Sequence, residues 1–267
     1  GILVTMSSVM DSKITGKLQL AIALTAVTLI AEVIGGLWTH SLALLSDAAA
    51  RANFTNEAGV FGTTRFLRNV AGLWLVQQCK RSFDARGRKY SYDQLAQMAA
   101  KVPALRSIVN PDDSRFLNPP DMPKAIQDFC RETKQPVPKT EGELVRCAYE
   151  SLALKYRETL GALEELTGEK IEVIHIVGGG SQSRLLNQFT ADACQRPVLA
   201  GPVEATAMGN LLTQVRASGE LASPADMRAV IRKSSDVDRF EQKQAAAWQE
   251  GVARFGKLRS CSSTLDR

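Results

Sequence analysis

Apolar residues recur along this chain at two spacings, and these divide it into elements. In TTRFLRNVAGLWLVQQCKRSF, residues 63–83, Phe66, Val70, Leu73 and Trp74 share one broad face at helical spacing. This predicts a helix with Trp74 in the core. A short helix follows over Tyr92–Ala100, ended by Pro103, and turns are marked at Asn110-Pro111-Asp112-Asp113 and Asn118-Pro119-Pro120. A further helix is predicted over 121–133, before the break QPVPK. The longest helical run is Glu141 to Thr167, where Leu144, Cys147, Leu152, Tyr156, Leu160 and Leu163 recur at three- and four-residue spacing. Gly168 closes it.

The pattern then changes. Val173–Val177, VIHIV, is a continuous apolar run bounded by Gly178-Gly179-Gly180, which predicts a buried strand with His175 neutral and structural. Helical spacing returns over 181–194, with Leu185, Leu186 and Phe189 inward, and RPVLA at 196–200 reads as a second strand. A helix begins near Val203, with Glu204 at its N-terminus and Gly209 as a close packing contact. Strand alternating with helix indicates an α/β architecture. Beyond Asp238 the chain is polar and is expected to be a frayed or loosely docked tail.

The first 51 residues follow another style. Leu18 to Trp38, LQLAIALTAVTLIAEVIGGLW, carries Glu32 as its only charge. A run of roughly 20 apolar residues matches a bilayer core, so an apolar, transmembrane-like helix and a membrane contact through residues 18–38 are expected. Composition shifts abruptly near residues 48–52, with no Pro/Gly/Ser linker, which marks a seam. EVIGGLWTHSLALLSDA resembles the first membrane helix and following loop of cation diffusion facilitator transporters. That family's metal-binding His/Asp pair would follow directly, but Ala48, Ala49, Ala50 and Arg51 stand there instead. No metal site is expected from this segment.

Charge and cysteine content narrow the chemistry. The net charge of +5 over 267 residues is mild, and the one local basic cluster, Arg81, Arg86, Arg88 and Lys89, is interrupted by Asp84. No aromatic interleaving accompanies it, so no nucleic-acid partner is expected. Five cysteines without a C-x-x-C pair suit reduced thiols in the cytoplasm, and two histidines exclude a histidine-rich metal site.

The strongest chemical signal is VIHIVGGGSQSRLLNQ, a strand, three glycines and a helix starting near Ser183. Glycine removes the side chain that keeps a ligand from the backbone, and the helix N-terminus behind it offers free N–H donors. Neither GxGxxG nor a P-loop is present. IHIVGGGSQSRLLNQFTADACQRPVLAGPVEATAMGN is similar to the nucleotide-contacting segment of the FGGY carbohydrate kinases. NFTNEAGVFGTTRFLRNVAGLWLVQQC, together with GPVEATAMGN, is most like the members of that family that act on L-rhamnulose.

The resemblance implies a partial actin-like ATPase (ribonuclease H-like) C-terminal lobe, preceded by the apolar helix. It implies residues 1–51 as a membrane-like segment, 52–240 as the nucleotide-binding lobe and 241–267 as a tail. It implies that Asn69 contacts the sugar, that Gln77 contacts ATP, and that Gly178, Gly179 and Gly180 form the nucleotide-contacting turn. ATP and Mg²⁺ are the implied cofactors, with a small sugar as the other partner. The resemblance also implies a D-x-G-T phosphate hairpin in an N-terminal lobe and a catalytic aspartate near the inter-lobe junction; neither is found here, so no catalytic residue is assigned and this stretch alone is expected to be inactive. The alternative is a membrane-anchored domain that only binds a nucleotide or a partner.

Overall fold

The structure is a computed structural model that describes residues 49–50, 52–58, 63–243 and 245–262. The apolar run at residues 18–38 lies outside them, and with it the expected apolar helix and membrane contact. Among the described residues, no helix is long and apolar enough to cross a membrane. The chain divides into two compact units, Gly1–Asn69 and Val70–Arg267.

The first unit contains a hairpin of β1 (Thr55–Ala58) and β2 (Thr64–Leu67), with Thr55 opposite Leu67 and Ala58 opposite Thr64. The helix expected over 63–83 is therefore wrong in its first half. Glu57 and Arg65 face each other across the ladder and form an ion pair, a cross-strand match that a helical reading overlooks. Phe54 is buried, with the Arg68 guanidinium 5.5 Å from its ring centroid. Asn69, exposed, is the last residue of this unit.

In the second unit the helices are α1 (Trp74–Ala85), α2 (Tyr92–Ala100), α3 (Met122–Glu132), α4 (Glu141–Thr167), α5 (Arg184–Cys194), α6 (Ala205–Ala217), α7 (Pro224–Ser234) and α8 (Ala245–Ser262). Helix α4 is the axis on which α1, α2, α5 and α8 pack. Its ends are written in the sequence. Thr140 and Glu143 form a reciprocal capping box at the start, and Gly168, at φ 70°, takes the left-handed conformation that ends it. Leu75, Val76, Leu95, Ile126, Val145 and Leu152 are among the fully buried side chains of this core, each contributing about 1.5–3 kcal/mol by leaving water. A buried ion pair lies within α4 itself. Arg146 Nε donates to Glu150 Oε1 at 2.8 Å, Arg146 Nη1 donates to the Ala99 carbonyl at 3.0 Å, and Glu150 Oε2 accepts from the Leu105 amide at 2.9 Å. Both ions thus keep hydrogen-bond partners out of water.

The sheet is small. Strand β3 (Ile174–Ile176) pairs in parallel with β4 (Val198–Ala200), and β5 (Asp238–Phe240) adds antiparallel on the other side of β4. Helix α5 backs β4 and β5. The strand expected over Val173–Val177 is shorter than its apolar run and is not buried. Ile174 and Ile176 are half-buried, while His175 points to the opposite face and is exposed rather than enclosed.

Three further expectations change. Trp74 is 41% exposed, with its indole N–H donating to the Phe116 carbonyl at 3.2 Å, so it is not a core residue. A side chain on Gly209 would meet nothing within 4 Å, so this glycine makes no close contact. The tail is not loose. Beyond β5, α8 buries Trp248 and Phe255, and Trp248 meets Phe189 at 5.6 Å between centroids. Polar composition concealed these anchors because two aromatics suffice to dock an otherwise hydrophilic helix.

Candidate functional site

The glycine run lies between β3 and α5 as a tight 3₁₀ turn, Gly178–Gln182. Gly178 has φ 74°, a conformation that L side chains rarely adopt, and its N–H donates to the Pro202 carbonyl at 3.0 Å. The Ser181 hydroxyl donates back to the Gly178 carbonyl at 2.7 Å. Asn187, fully buried on α5, donates from Nδ2 to the Ser181 carbonyl at 2.8 Å. The turn is therefore held from behind by backbone and side-chain bonds.

Its front is open. Gly179 is exposed, and a Cβ built there would meet no atom within 4 Å. Gly180 is closer to the fold, since its Cβ would lie 3.7 Å from Ile176. Helix α5 begins at Arg184, and Ser183 occupies its N-cap position without a side-chain cap. The first-turn amides thus keep no side-chain partner, and the positive end of the helix is left for an anion or a polar ligand.

Gly179 and Gly180 line a cleft of about 1050 Å³, whose walls also carry Gln77, Tyr92, Tyr149 and Ser183. Gln77 stands on the exposed side of α1, since Leu75, Val76 and Cys79 turn inward. Tyr149 comes from α4 and is nearly fully buried. Burial pushes its phenol up from the ordinary value, and a hydrogen bond with the Ser183 side chain opposes that shift. Arg184, exposed, pairs with Asp238 and lies 5.4 Å from the Phe240 ring centroid. On the other side of the glycine turn is a more apolar hollow of about 570 Å³, bordered by Val70, Tyr156, Leu160, Ile174 and Asn187.

Of the residues singled out from the sequence, Gln77, Gly179 and Gly180 come together on this one cleft. Gly178 shapes the turn beneath it. Tyr92 and Tyr149 were not singled out as site residues, because α2 and α4 contribute no recognisable motif and only packing brings them here. A cleft wall that is mostly uncharged, with Asp93 and Arg184 as its charged members, and that offers backbone donors and amides suits a polar ligand with an anionic end. Among the described residues, no group of three or more His, Cys, Asp or Glu could hold a metal ion.

A sequence profile of the FGGY family of carbohydrate kinases, C-terminal domain, matches residues 34–218. The match begins ahead of residue 52 and overlaps the transporter-like stretch. The chain is 45% identical over 203 residues to a rhamnulokinase of Bacteroides thetaiotaomicron, covering 76% of this chain and 41% of that protein. It is 41% identical over 218 residues to a rhamnulokinase of Bacillus subtilis, covering 80% of this chain and 44% of that protein. The chain thus spans less than half the length of these curated relatives. Among solved structures it is similar to a xylulose kinase from Lactobacillus acidophilus, with a TM-score of 0.58 at 14% identity, over 80% of this chain and 43% of that one. A gluconate kinase from the same organism gives 0.57 at 15% identity, over 78% and 42%. These likenesses show the mixed helix-and-sheet fold.

Proposed function

Since the chain belongs to the FGGY family of carbohydrate kinases, through its C-terminal domain, we propose that it supplies the nucleotide-binding lobe of an L-rhamnulose kinase. The full reaction is ATP + L-rhamnulose to L-rhamnulose 1-phosphate + ADP, carried out in the cytoplasm. In this reading the lobe is a partial actin-like ATPase domain spanning 52–240, with 1–51 before it and 241–267 after it. Gly179 offers its backbone to the nucleotide phosphates, Gln77 holds ATP, and Asn69 contacts the sugar. The observation that carries the proposal is the open space at Gly179, on a fixed turn in the same cleft wall as Gln77.

ATP fits this wall. The glycine turn and the α5 N-terminus offer N–H donors to phosphate oxygens, and Gly179 places no side chain of its own before them. Mg²⁺ usually keeps several waters and binds through substrate phosphates with one or two carboxylates, so this lobe's part is to position the phosphates the ion rides on. When bound, the ion would neutralise charge on the transferring phosphoryl group. The attack itself needs a carboxylate base and a second set of phosphate donors facing this lobe. These 267 residues tested alone therefore bind the nucleotide without transferring phosphate.

Calorimetric titration of ATP into the purified chain tests the proposal. Saturable binding is expected. Gly179→Val weakens it about tenfold or more, by forfeiting charge-assisted bonds worth about 1.5–3 kcal/mol each, with the thermal midpoint unchanged. No saturable binding, or wild-type affinity in Gly179→Val, would overturn the assignment. Turnover of L-rhamnulose by the chain alone at about 1–100 s⁻¹, the ordinary range for kinases, would refute the need for a second lobe.

A further inference from the structure

The nucleotide reading leaves one part of the cleft wall without a task, the first turn of α2. Tyr92 opens that helix and is 49% exposed, an unusual state for so large an aromatic side chain. Its backbone is fixed. The Ser91 hydroxyl accepts from the Gln94 amide at 3.1 Å, and the Gln94 side chain accepts from the Ser91 amide at 2.8 Å. This reciprocal cap anchors the turn that carries the ring. Lys80, from α1, holds its ammonium 5.9 Å from the ring centroid and is itself tied to Asp84 at 2.7 Å. The ring is thus steadied by a cation and still broadly open to solvent.

Its neighbours on the cleft wall include two amides, Gln77 from α1 and Gln97 from α2. Both are exposed, and neither side chain hydrogen-bonds to another described residue. A fixed aromatic face beside uncommitted donor–acceptor amides is the chemistry that recognises a heterocyclic base. The ring meets the flat π-surface, and amides match the polar edge. The rest of the wall, with the glycine turn and the α5 N-terminus, suits the opposite, anionic end of the same molecule.

We propose that Tyr92 is the stacking platform for the nucleotide base, with Gln97 hydrogen-bonding the base edge. The proposal rests on the reading of this cleft as a nucleotide site and adds where the base lies. Tyr92 acts by ring contact, so its hydroxyl is dispensable.

Two probes that differ in the nucleoside test it, ATP and inorganic tripolyphosphate, each titrated into the 267-residue chain and its variants. Tyr92→Ala is expected to weaken ATP about tenfold, as loss of a base–aromatic stack does, while tripolyphosphate binding stays at the wild-type level. Tyr92→Phe keeps wild-type affinity for both, and Gln97→Ala weakens ATP alone. Circular dichroism of each variant confirms an intact fold, which is expected because Tyr92 is not a core residue. ATP affinity within twofold of wild type in Tyr92→Ala overturns the platform while leaving the nucleotide site standing. Equal weakening of both probes also overturns it, since the ring would then act on the phosphate end. A wild-type chain that binds neither probe sinks the site and the platform together.

Discussion

Phe255 and Phe240 are the same residue type and almost equally buried, at 4% and 7% exposure, yet they belong to two differently built parts of one unit. Phe255 sits in the continuous core that gathers α1 to α5 and α8 around α4. Phe240 belongs to a cluster of four, with Ala191, Val198 and Ala200, to which Ile174 and Ile176 add half-buried surface. The helices α6 and α7 extend this weaker pattern, since α6 buries only Leu212 fully and α7 buries no residue fully. The candidate site lies where the two parts meet, with its glycine turn hung from the sheet strand β3 and its walls taken from α1, α2 and α4. A dense core fixes the walls, and a thin sheet holds out a loop whose front is left open by the described residues. Stability and ligand access are thus assigned to different regions.

Cutting the two phenylalanines is the sharpest way to break this contrast. Phe255→Ala is expected to cost about 3–5 kcal/mol, because close-packed neighbours cannot collapse into the void. Chemical denaturation should register it as a lower midpoint with an unchanged slope. Phe240→Ala is expected to cost about half as much, roughly 2 kcal/mol, since few side chains border it and the Arg184 guanidinium over its ring can settle into the space. Equal costs would mean that the sheet is as firmly packed as the helices.

The smallest expected effect lies at the start of α4. Glu143 accepts from the Lys139 amide at 2.6 Å and the Thr140 amide at 3.0 Å, and these bonds, the Lys139 one first, hold its carboxyl below the ordinary value. A lowered folded value means that the ionised form is favoured in the native state. Its stabilisation is therefore fully present above the ordinary glutamate value of about 4.3, and is lost as pH falls through the lowered one. Glu143→Gln should cost about 1 kcal/mol near neutral pH, the usual scale of a capping contact. Its midpoint should converge with that of the wild type on acidification. A gap independent of pH would assign the effect to packing instead.

The elements legible in the sequence are those whose signals are local. Helices α2 and α4 begin at Ser91 and Thr140, each followed three residues later by the glutamine or glutamate that completes the cap, and α4 stops at a glycine. The 63–83 stretch misled because Phe66, Val70 and Leu73 keep a helical spacing across a strand, a loop and a helix start. Only the pairing of β2 with β1 decides its first half. His175 misled for a similar reason. Apolar flanks suggest burial, but the strand has one covered face, and the histidine is on the other. At the site, the glycine turn was readable because a run of glycines has a backbone consequence. Tyr92 and Tyr149 were not, since they reach the cleft from helices distant in sequence, and no local pattern records that meeting.

Two glycines near the sheet carry opposite histories. At Gly201, with φ 128°, a Cβ would come within 2.6 Å of the Asp236 carbonyl oxygen, so the scaffold itself rejects other amino acids there. At Gly179 the scaffold imposes no such veto. A library randomised at both codons and sorted for folded protein alone should keep glycine at the first and drift freely at the second. Only a sort on ligand capture would bring glycine back at position 179, which makes that codon a recorder of binding rather than of folding.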